Sequence, residues 1–306
     1  MTNTAPLAVI IPTYNKGMAV VSILDKILKC DPQPAEIWVH VDLADGALER
    51  VLHLRFPHVG VLTSNARVGP GGGRHRCLLT CNTLYAVSFD DDSYPVDSDF
   101  FHQVEQLFSR HSRAAIFGTS IWHRTEIAKA RTDSLLPTPS YIGCGYAIRL
   151  AAYRQVRGHL PRPVGYMMEE TDLSLQLFET GWQIYEAGNL RVFHDTDLKH
   201  HRSPEITSGI IANVGLFTFL HYPFIGWGRG FLQLGNQIFY FVRMGRIGGI
   251  CSGLLSIPGE CYRNRQYRKP VSWETLKKFH HFNRTGATSS VAMRSEERHT
   301  GKVVDI

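Results

Sequence analysis

Four groups of polar residues in this 306-residue chain have the types and spacing that do chemistry. The first is Asp90-Asp91-Asp92, directly behind an apolar run at residues 84–89. Adjacent carboxylates repel one another, and a bound cation relieves that cost. Their hard oxygens suit Mg²⁺ or Mn²⁺ rather than zinc, with Asp92 on the metal and Asp90 on metal-bound water or a ribose. A solvated acidic turn is the plainer alternative. The second group is Gly69-Pro70-Gly71-Gly72-Gly73-Arg74-His75-Arg76. Glycines let backbone N–H groups approach a phosphate, a helix N-terminus adds its dipole, and Arg74 and Arg76 add charge-assisted donors. No Gly-Lys-Ser/Thr follows, so this is not a Walker loop, and Arg74 spoils a dinucleotide fingerprint. The third group, Glu169-Glu170-Thr171-Asp172, opens a helical pattern. Its carboxylates either cap the helix dipole or supply a general base for a hydroxyl that must lose its proton. The fourth is His194, at the end of a short strand pattern, where a neutral imidazole can complete a metal site. His200 and His201 are nearby rivals without strand context.

These groups need elements to hold them. Residues 7–11 are a continuous, β-branched apolar run stopped by Pro12, which predicts a buried strand. A helix over 18–28, strands over 36–41 and 59–63, a helix over 71–82 and a strand over 84–89 follow. Strand–helix alternation predicts parallel βαβ units with helices on both faces. Ligands of such sheets bind beyond the carboxyl ends of the strands. Those ends carry Thr13-Tyr14-Asn15, Asp42, Ser64-Asn65 and Asp90-Asp91-Asp92, which predicts one shared site. The second half reads as a glycine-containing strand over 140–149, a helix over 170–179, and short strands over 183–186 and 191–193. From residue 206 the pattern turns helical and very apolar.

The net charge of +6 favours anionic partners, and no nucleic-acid recognition pattern accompanies it. Basic residues crowd the C-terminal third, among them Arg243, Arg246, Arg263, Arg265, Arg268 and Lys269. The six cysteines form no Cys-x-x-Cys pair and are expected to be reduced. With no basic leader before the first strand, the expectation is a cytoplasmic protein without a signal peptide. Residues 206–227 are broken by Asn213, His221 and Pro223, and residues 230–258 carry Arg243 and Arg246. Neither run predicts a spanning helix. An interfacial helix, peripheral on the inner face of the plasma membrane, and a packed subdomain or homodimer contact are the two readings.

Taken in order, the motifs resemble the family 2 glycosyltransferases. Val9-Ile10-Ile11-Pro12-Thr13-Tyr14-Asn15 is similar to that family's first strand, and the segment from Arg67 to Arg76 to its Asn-x-Gly…Ala-Arg-Asn stretch. Phe89-Asp90-Asp91-Asp92 resembles its Asp-x-Asp motif, and Gly143-Cys144-Gly145-Tyr146-Ala147-Ile148-Arg149 its acceptor loop. Glu169-Glu170-Thr171-Asp172-Leu173-Ser174-Leu175, followed by Gly181-Trp182, is similar to its Glu-Asp-x-Asp helix. The resemblance covers about residues 7–200. It implies a GT-A fold: a Rossmann-like α/β architecture with a mixed, mainly parallel sheet, helices on both faces, and here a C-terminal helical extension.

The resemblance also implies roles. Pro12, Thr13, Tyr14, Asn15, Asp42, Gly69, Gly71, Arg74, Asp90 and Asp91 would bind the nucleotide sugar. Asp45 competes with Asp42. Asp92, Asp90 and His194 would hold Mn²⁺ or Mg²⁺. Glu170 falls where the family carries its base, usually Asp; Glu169 and Asp172 share the catalytic group, and Glu169 and Glu170 remain interchangeable. Gly143, Cys144, Gly145 and Trp182 would meet the acceptor. The expected activity is inverting transfer from a nucleoside-diphosphate sugar, commonly a UDP-sugar, to the hydroxyl of a saccharide, lipid-linked or small-molecule acceptor. The setting would be cell-surface polysaccharide, glycolipid or glycosylated-metabolite synthesis. A metal-dependent nucleotidylyltransferase is the alternative enzyme, and a non-catalytic sugar-binding or nucleic-acid-binding protein the alternative class. The expected organisation is a catalytic domain over 1–204, a helical region over 205–282 that meets a membrane surface or a dimer partner, and a flexible tail over 283–306.

Overall fold

The first strand, β1 (Thr4–Thr13), is buried on both faces and paired on both edges. Its side chains alternate between two cores. Leu7, Val9 and Ile11 join one, and Ala8 and Ile10 join the other. That alternation requires apolar cover on both sides, which is why the sequence shows an unbroken apolar run instead of a one-in-two pattern. The computed structural model describes residues 4–14, 17–166, 168–196 and 203–285.

Helices α1 (Gly17–Ile27), α2 (Gly46–Arg55) and α4 (Phe100–Arg110) line the first core through Val20, Leu24, Leu48, Leu52, Phe101 and Phe108. Helices α3 (Gly69–Thr80), α5 (Leu150–Tyr153) and α6 (Glu169–Glu179) line the second through Cys77, Leu78, Tyr153, Leu173 and Leu177. The remaining strands are β2 (Gln33–Asp42), β3 (Gly60–Ser64), β4 (Tyr85–Phe89), β5 (Ser93–Pro95), β6 (Ala114–His123), β7 (Leu135–Pro137), β8 (Gly145–Arg149) and β9 (Gln183–His194). They form a nine-stranded sheet in the order β3-β2-β1-β4-β8-β6-β9-β5, with β7 against β9. Strands β8, β5 and β7 are antiparallel to their neighbours, so the other six run one way. The sheet is mainly parallel and its polar strand ends gather on one side, as the α/β reading requires.

Several elements differ from the sequence reading. The expected strand over 140–149 begins only at Gly145, leaving 140–144 as a loop. The two short strands over 183–186 and 191–193 are one strand, β9. Its pairing with β6 jumps from Thr119↔Ala187 to Ser120↔Arg191, so Gly188-Asn189-Leu190 is accommodated as an irregularity rather than a break. Helices α2 and α4 and strand β6 had no counterpart in the sequence reading.

Helix α6 lies between the sheet and a helical layer. Leu173 and Leu177 face the sheet core, while Leu175 packs with Phe217, Tyr222 and Phe279. The layer comprises α7 (Pro204–His221), α8 (Trp227–Arg243), α9 (Ile250–Arg263) and a helix over 273–285. That last helix includes residues 283–285 of the expected tail, and 286–306 lie outside the described residues. Among the described residues no helix is long and apolar enough to cross a membrane. All six cysteines are free.

Candidate functional site

The strand ends open into a cleft of about 520 Å³. One wall is Pro12, Thr13 and Tyr14 at the end of β1 with Asp42 at the end of β2. The floor carries Arg74, Asp90, Asp91 and Asp92, and the far wall Gly143, Cys144, Glu169, Glu170 and His194. Thirteen of the expected site residues therefore line one space, together with Gly69. Asn15 lies outside the described residues, as do His200 and His201.

Arg74 organises the floor. Its guanidinium is 4% exposed and donates from Nη1 to Glu169 Oε2 (2.8 Å), from Nη2 to Asp90 Oδ1 and the Gly143 carbonyl (3.1 Å to the latter), and from Nε to Ser88 Oγ (3.1 Å). Ser88 is the polar residue on the α3 side of β4, where its neighbour Ala86 is core. Two carboxylates hold Arg74 firmly cationic despite its burial. Arg74 lines the cleft, where the sequence reading placed it against the base or diphosphate, and these contacts show it also positioning the acids of the floor and far wall.

The start of the glycine run is likewise engaged with protein carboxylates. The amide of Gly71 donates to Glu169 Oε1 (2.7 Å), and those of Val68 and Gly69 to Asp42 Oδ1 (2.9 Å) and Oδ2 (2.8 Å). Protein carboxylates occupy the amides that the sequence reading aimed at phosphate. The glycines permit close packing. A Cβ on Gly71 would stand 2.7 Å from Glu169 Cδ, and one on Gly69, at φ +72°, would strike the Arg162 carbonyl. Asp42 also accepts from Ser64 Oγ (2.8 Å), so it anchors the start of α3 while lining the cleft. Asp45 is not its rival: it caps α2, accepting from the amides of Ala47 and Leu48.

The paired glutamates divide by geometry. Both oxygens of Glu169 are held, by Gly71 and Arg74, and burial pushes its carboxyl up to about 7 against the opposing pull of Arg74. Glu170 lines the cleft beside Gly143, where a Cβ would fall 2.6 Å from its Oε1. Burial raises its pKa above the ordinary glutamate range, with Arg74 opposing and Asp90 adding to the rise. Asp172 does not share this role. It is 1% exposed, outside the cleft, and bound by Arg157 Nη2 (2.6 Å), His221 Nε2 and Gln176 Nε2 (3.0 Å). Arg157 and His221 hold it below the usual carboxylate range. One helical step past Glu170 it ties α6 to the end of α7.

On the metal side, Asp90, Cys144 and His194 each offer a ligand atom within 4.8 Å of the others. Asp92 Oδ1 lies 3.0 Å from His194 Nε2, and Asp91 accepts from Thr13 Oγ1 (2.8 Å). The turn is fixed by Ser93, whose Oγ accepts from the Asp90 amide (2.7 Å) and donates to the Cys144 carbonyl (2.5 Å). Burial raises the Cys144 thiol well above its ordinary pKa, so it stays protonated.

Gly145 and Trp182 are not at the cleft. Gly145 is inside β8, and the Trp182 indole packs on the second core and donates to Gln155 Oε1 (3.0 Å). The sequence reading also missed part of the rim. His123 ends β6 in register with His194, their rings 5.2 Å apart. The signal was weak, because Gly118-Thr119-Ser120 interrupts the apolar residues that lead to His123. Residues Pro163 to Tyr166 and the first turn of α7 close the opposite side. Arg67 lies over the Tyr14 ring (4.6 Å) and reaches Glu205 (3.5 Å) from there. The Ser203-Pro204-Glu205 start of α7, with Ser203 capping the Ile206 amide, was legible as a helix N-terminus but not as a cleft wall.

Residues 8–158 match the model of Glycosyl transferase family 2. No curated protein sequence matches the chain. Among solved structures it is similar to GalNAc-T7 with UDP, GalNAc and Mn²⁺, at 14% identity and a TM-score of 0.57, over 73% of this chain and 49% of that one. It is similar to the mannosyltransferase PcManGT from Pyrobaculum calidifontis in complex with GDP-Man and Mn²⁺, at 12% identity and a TM-score of 0.55, over 95% and 81%. S. aureus TarS matches at 14% identity and a TM-score of 0.51, over 77% of this chain and 44% of TarS. The chain thus spans about half the length of GalNAc-T7. The shared feature at these identities is the fold, which is that of the GT-A glycosyltransferases.

Proposed function

We propose that this chain, whose residues 8–158 belong to glycosyl transferase family 2, moves a sugar from a nucleoside-diphosphate sugar, first among them a UDP-sugar, to an acceptor hydroxyl with inversion. The observation that carries the reading is the Glu170 carboxylate on the cleft wall, raised in pKa by burial, next to a Glu169 whose oxygens are both held by Gly71 and Arg74. A base must reach its proton and be poised to take it, and Glu170 meets both conditions.

In this reading Pro12, Thr13, Tyr14, Asn15 and Asp42 take the base and ribose. Asp90, Asp92 and His194 surround the metal position. The donor set fits a divalent cation of the Mn²⁺ or Mg²⁺ kind: carboxylate oxygens and one imidazole, with the Cys144 thiol nearby. The neighbours solved with UDP or GDP-Man each contain Mn²⁺, which supports the same choice. When bound, the cation would offset the charge of the leaving diphosphate. Glu170 accepts the proton of the acceptor hydroxyl as that oxygen attacks the anomeric carbon from the face opposite the diphosphate. Gly143 and Cys144 flank the acceptor. A single displacement inverts the configuration and needs no covalent sugar–enzyme intermediate. The catalytic unit is residues 1–204, completed at the rim by α7.

Thermal unfolding against UDP-, dTDP- and GDP-sugars, with and without Mn²⁺, tests the donor side. The true donor raises the unfolding temperature by mass action, and Mn²⁺ enlarges the shift. Asp90→Asn removes the Mn²⁺-dependent part, and Asp92→Asn and His194→Ala weaken it. An undiminished Mn²⁺ effect in folded Asp90→Asn would overturn the metal assignment. Pyrophosphate-releasing synthesis of a nucleotide sugar would hand the site to nucleotidylyl transfer instead.

A further inference from the structure

Helix α8 is apolar on the side that faces away from the protein. Its inward side is accounted for: Phe241, Leu234 and Ile238 pack on Ile206, Ile210 and Ile211 of α7. Its outward side carries Phe231 (63% exposed), Leu232 (70%), Phe239 (67%) and Val242 (52%). These positions recur at helical spacing, with Gly228 and Gly235 between them adding no polar group. The stripe extends at both ends, through exposed Phe224 and Ile225 before α8 and Met244 and Ile247 after it. Rings of Phe224, Trp227 and Phe231 follow one another at 5.0 and 6.4 Å. A surface helix ordinarily turns polar residues to water, and an apolar stripe of this length marks an interaction surface.

Charge selects the partner. From Ile206 to Gly259 the sequence contains no Asp or Glu, while it contains Arg229, Arg243 and Arg246. Asn236 and Arg243 are exposed and seven residues apart, so they share one edge of the outward stripe, while half-buried Arg229 lies near Tyr222 and His280. A second copy docked by this face would set arginine edges together with no carboxylate in the segment to answer them. An anionic lipid surface supplies both the apolar layer and the phosphates. Arg246 is otherwise engaged, donating to Thr207 Oγ1 (3.0 Å) and lying on the Phe241 ring (4.5 Å). That bond places the end of the stripe beside Ile206, which lines the cleft.

We infer that α8 lies flat in the headgroup region of an anionic phospholipid bilayer, with its apolar stripe buried and the exposed Arg243 on lipid phosphates. The helix spans about 25 Å along the membrane plane. Such a helix binds reversibly without crossing.

The test is sedimentation of the full chain with phosphatidylglycerol–phosphatidylcholine vesicles and with phosphatidylcholine alone, without nucleotide or metal. The chain sediments with the anionic vesicles at low salt and is released at high salt. Arg243→Glu lowers the partition coefficient about tenfold. The double variant Leu232→Glu/Phe239→Glu reduces it to the phosphatidylcholine background. Both keep the wild-type unfolding temperature, because the replaced side chains are exposed. The inference is overturned if the wild-type chain ignores anionic vesicles, or if the folded variants sediment as well as it does. It is equally overturned if the chain is a dimer that Leu232→Glu/Phe239→Glu splits, since the stripe then belongs to a second copy.

Discussion

Replacing Glu170 by Gln lowers turnover by about 10²-fold or more and leaves donor affinity unchanged. The expected size is that of a positioned general base. Gln keeps the shape of the side chain against Gly143 and removes only the proton acceptor. On the donor side, Thr13 donates to Asp91, and Asp42 accepts from Ser64 and the amides of Val68 and Gly69, and the substitution leaves these contacts in place. The pH profile gives an independent readout. Burial raises the Glu170 pKa above its ordinary value, and a base works only when deprotonated. Turnover therefore climbs with pH through a midpoint above the ordinary glutamate value of about 4.3. In Glu170→Gln that acid limb disappears along with most of the rate. Full activity in folded Glu170→Gln, with Glu169→Gln inactive instead, would reverse the assignment of the two neighbours.

Those neighbours mark the limit of what the sequence could say. Two acids at a helix start look alike in a string of letters. They separate only because α6 turns Glu169 toward Gly71 and Arg74 and leaves Glu170 at the open wall. Strand ends were legible because burial on both faces writes an unbroken apolar run, and the first polar residue after it must lie at the sheet edge. Thr13, Asp42 and Asp90 were found that way. Strand β6 is buried over its length, but Gly118-Thr119-Ser120 interrupts its apolar residues, so the rule did not reach His123. The glycines between Gly69 and Gly73 were read for phosphate because glycine permits close approach to anything. The anions that approach are Asp42 and Glu169, from distant sequence positions, and no local pattern announces them. Asp172 and Trp182 kept helical and strand spacing with the site, but their side chains face Arg157 and Gln155. The rim formed by Pro163 to Tyr166 and α7 depends on tertiary ties such as Asn213 Nδ2 to the Val164 and Tyr166 carbonyls (2.8 and 2.9 Å). Contacts of that sequence separation carry no periodic signal.

The buried guanidinium of Arg74 sets the second large effect. Arg74→Met is expected to destabilise the fold by about 3–5 kcal/mol, the usual cost of removing one partner of a buried ion pair. Glu169, at 5% exposure, would lose the guanidinium it is paired with and become an uncompensated buried anion. Asp90, 29% exposed, reaches water and suffers less. Arg74→Lys does not rescue the loss, because one ammonium cannot serve Ser88, Glu169, Asp90 and Gly143 from a single point. A double-mutant cycle read by urea unfolding isolates the pair. In the wild-type background Glu169→Gln destabilises, because it leaves Arg74 with one acid fewer. In the Arg74→Met background the same change is neutral or stabilising, because it removes a buried charge that nothing answers. This change of sign follows from desolvation outweighing any other role of Glu169. Simple addition of the two penalties would mean that guanidinium and carboxylate act independently, and Glu169 would then be as free as Glu170 to take a proton.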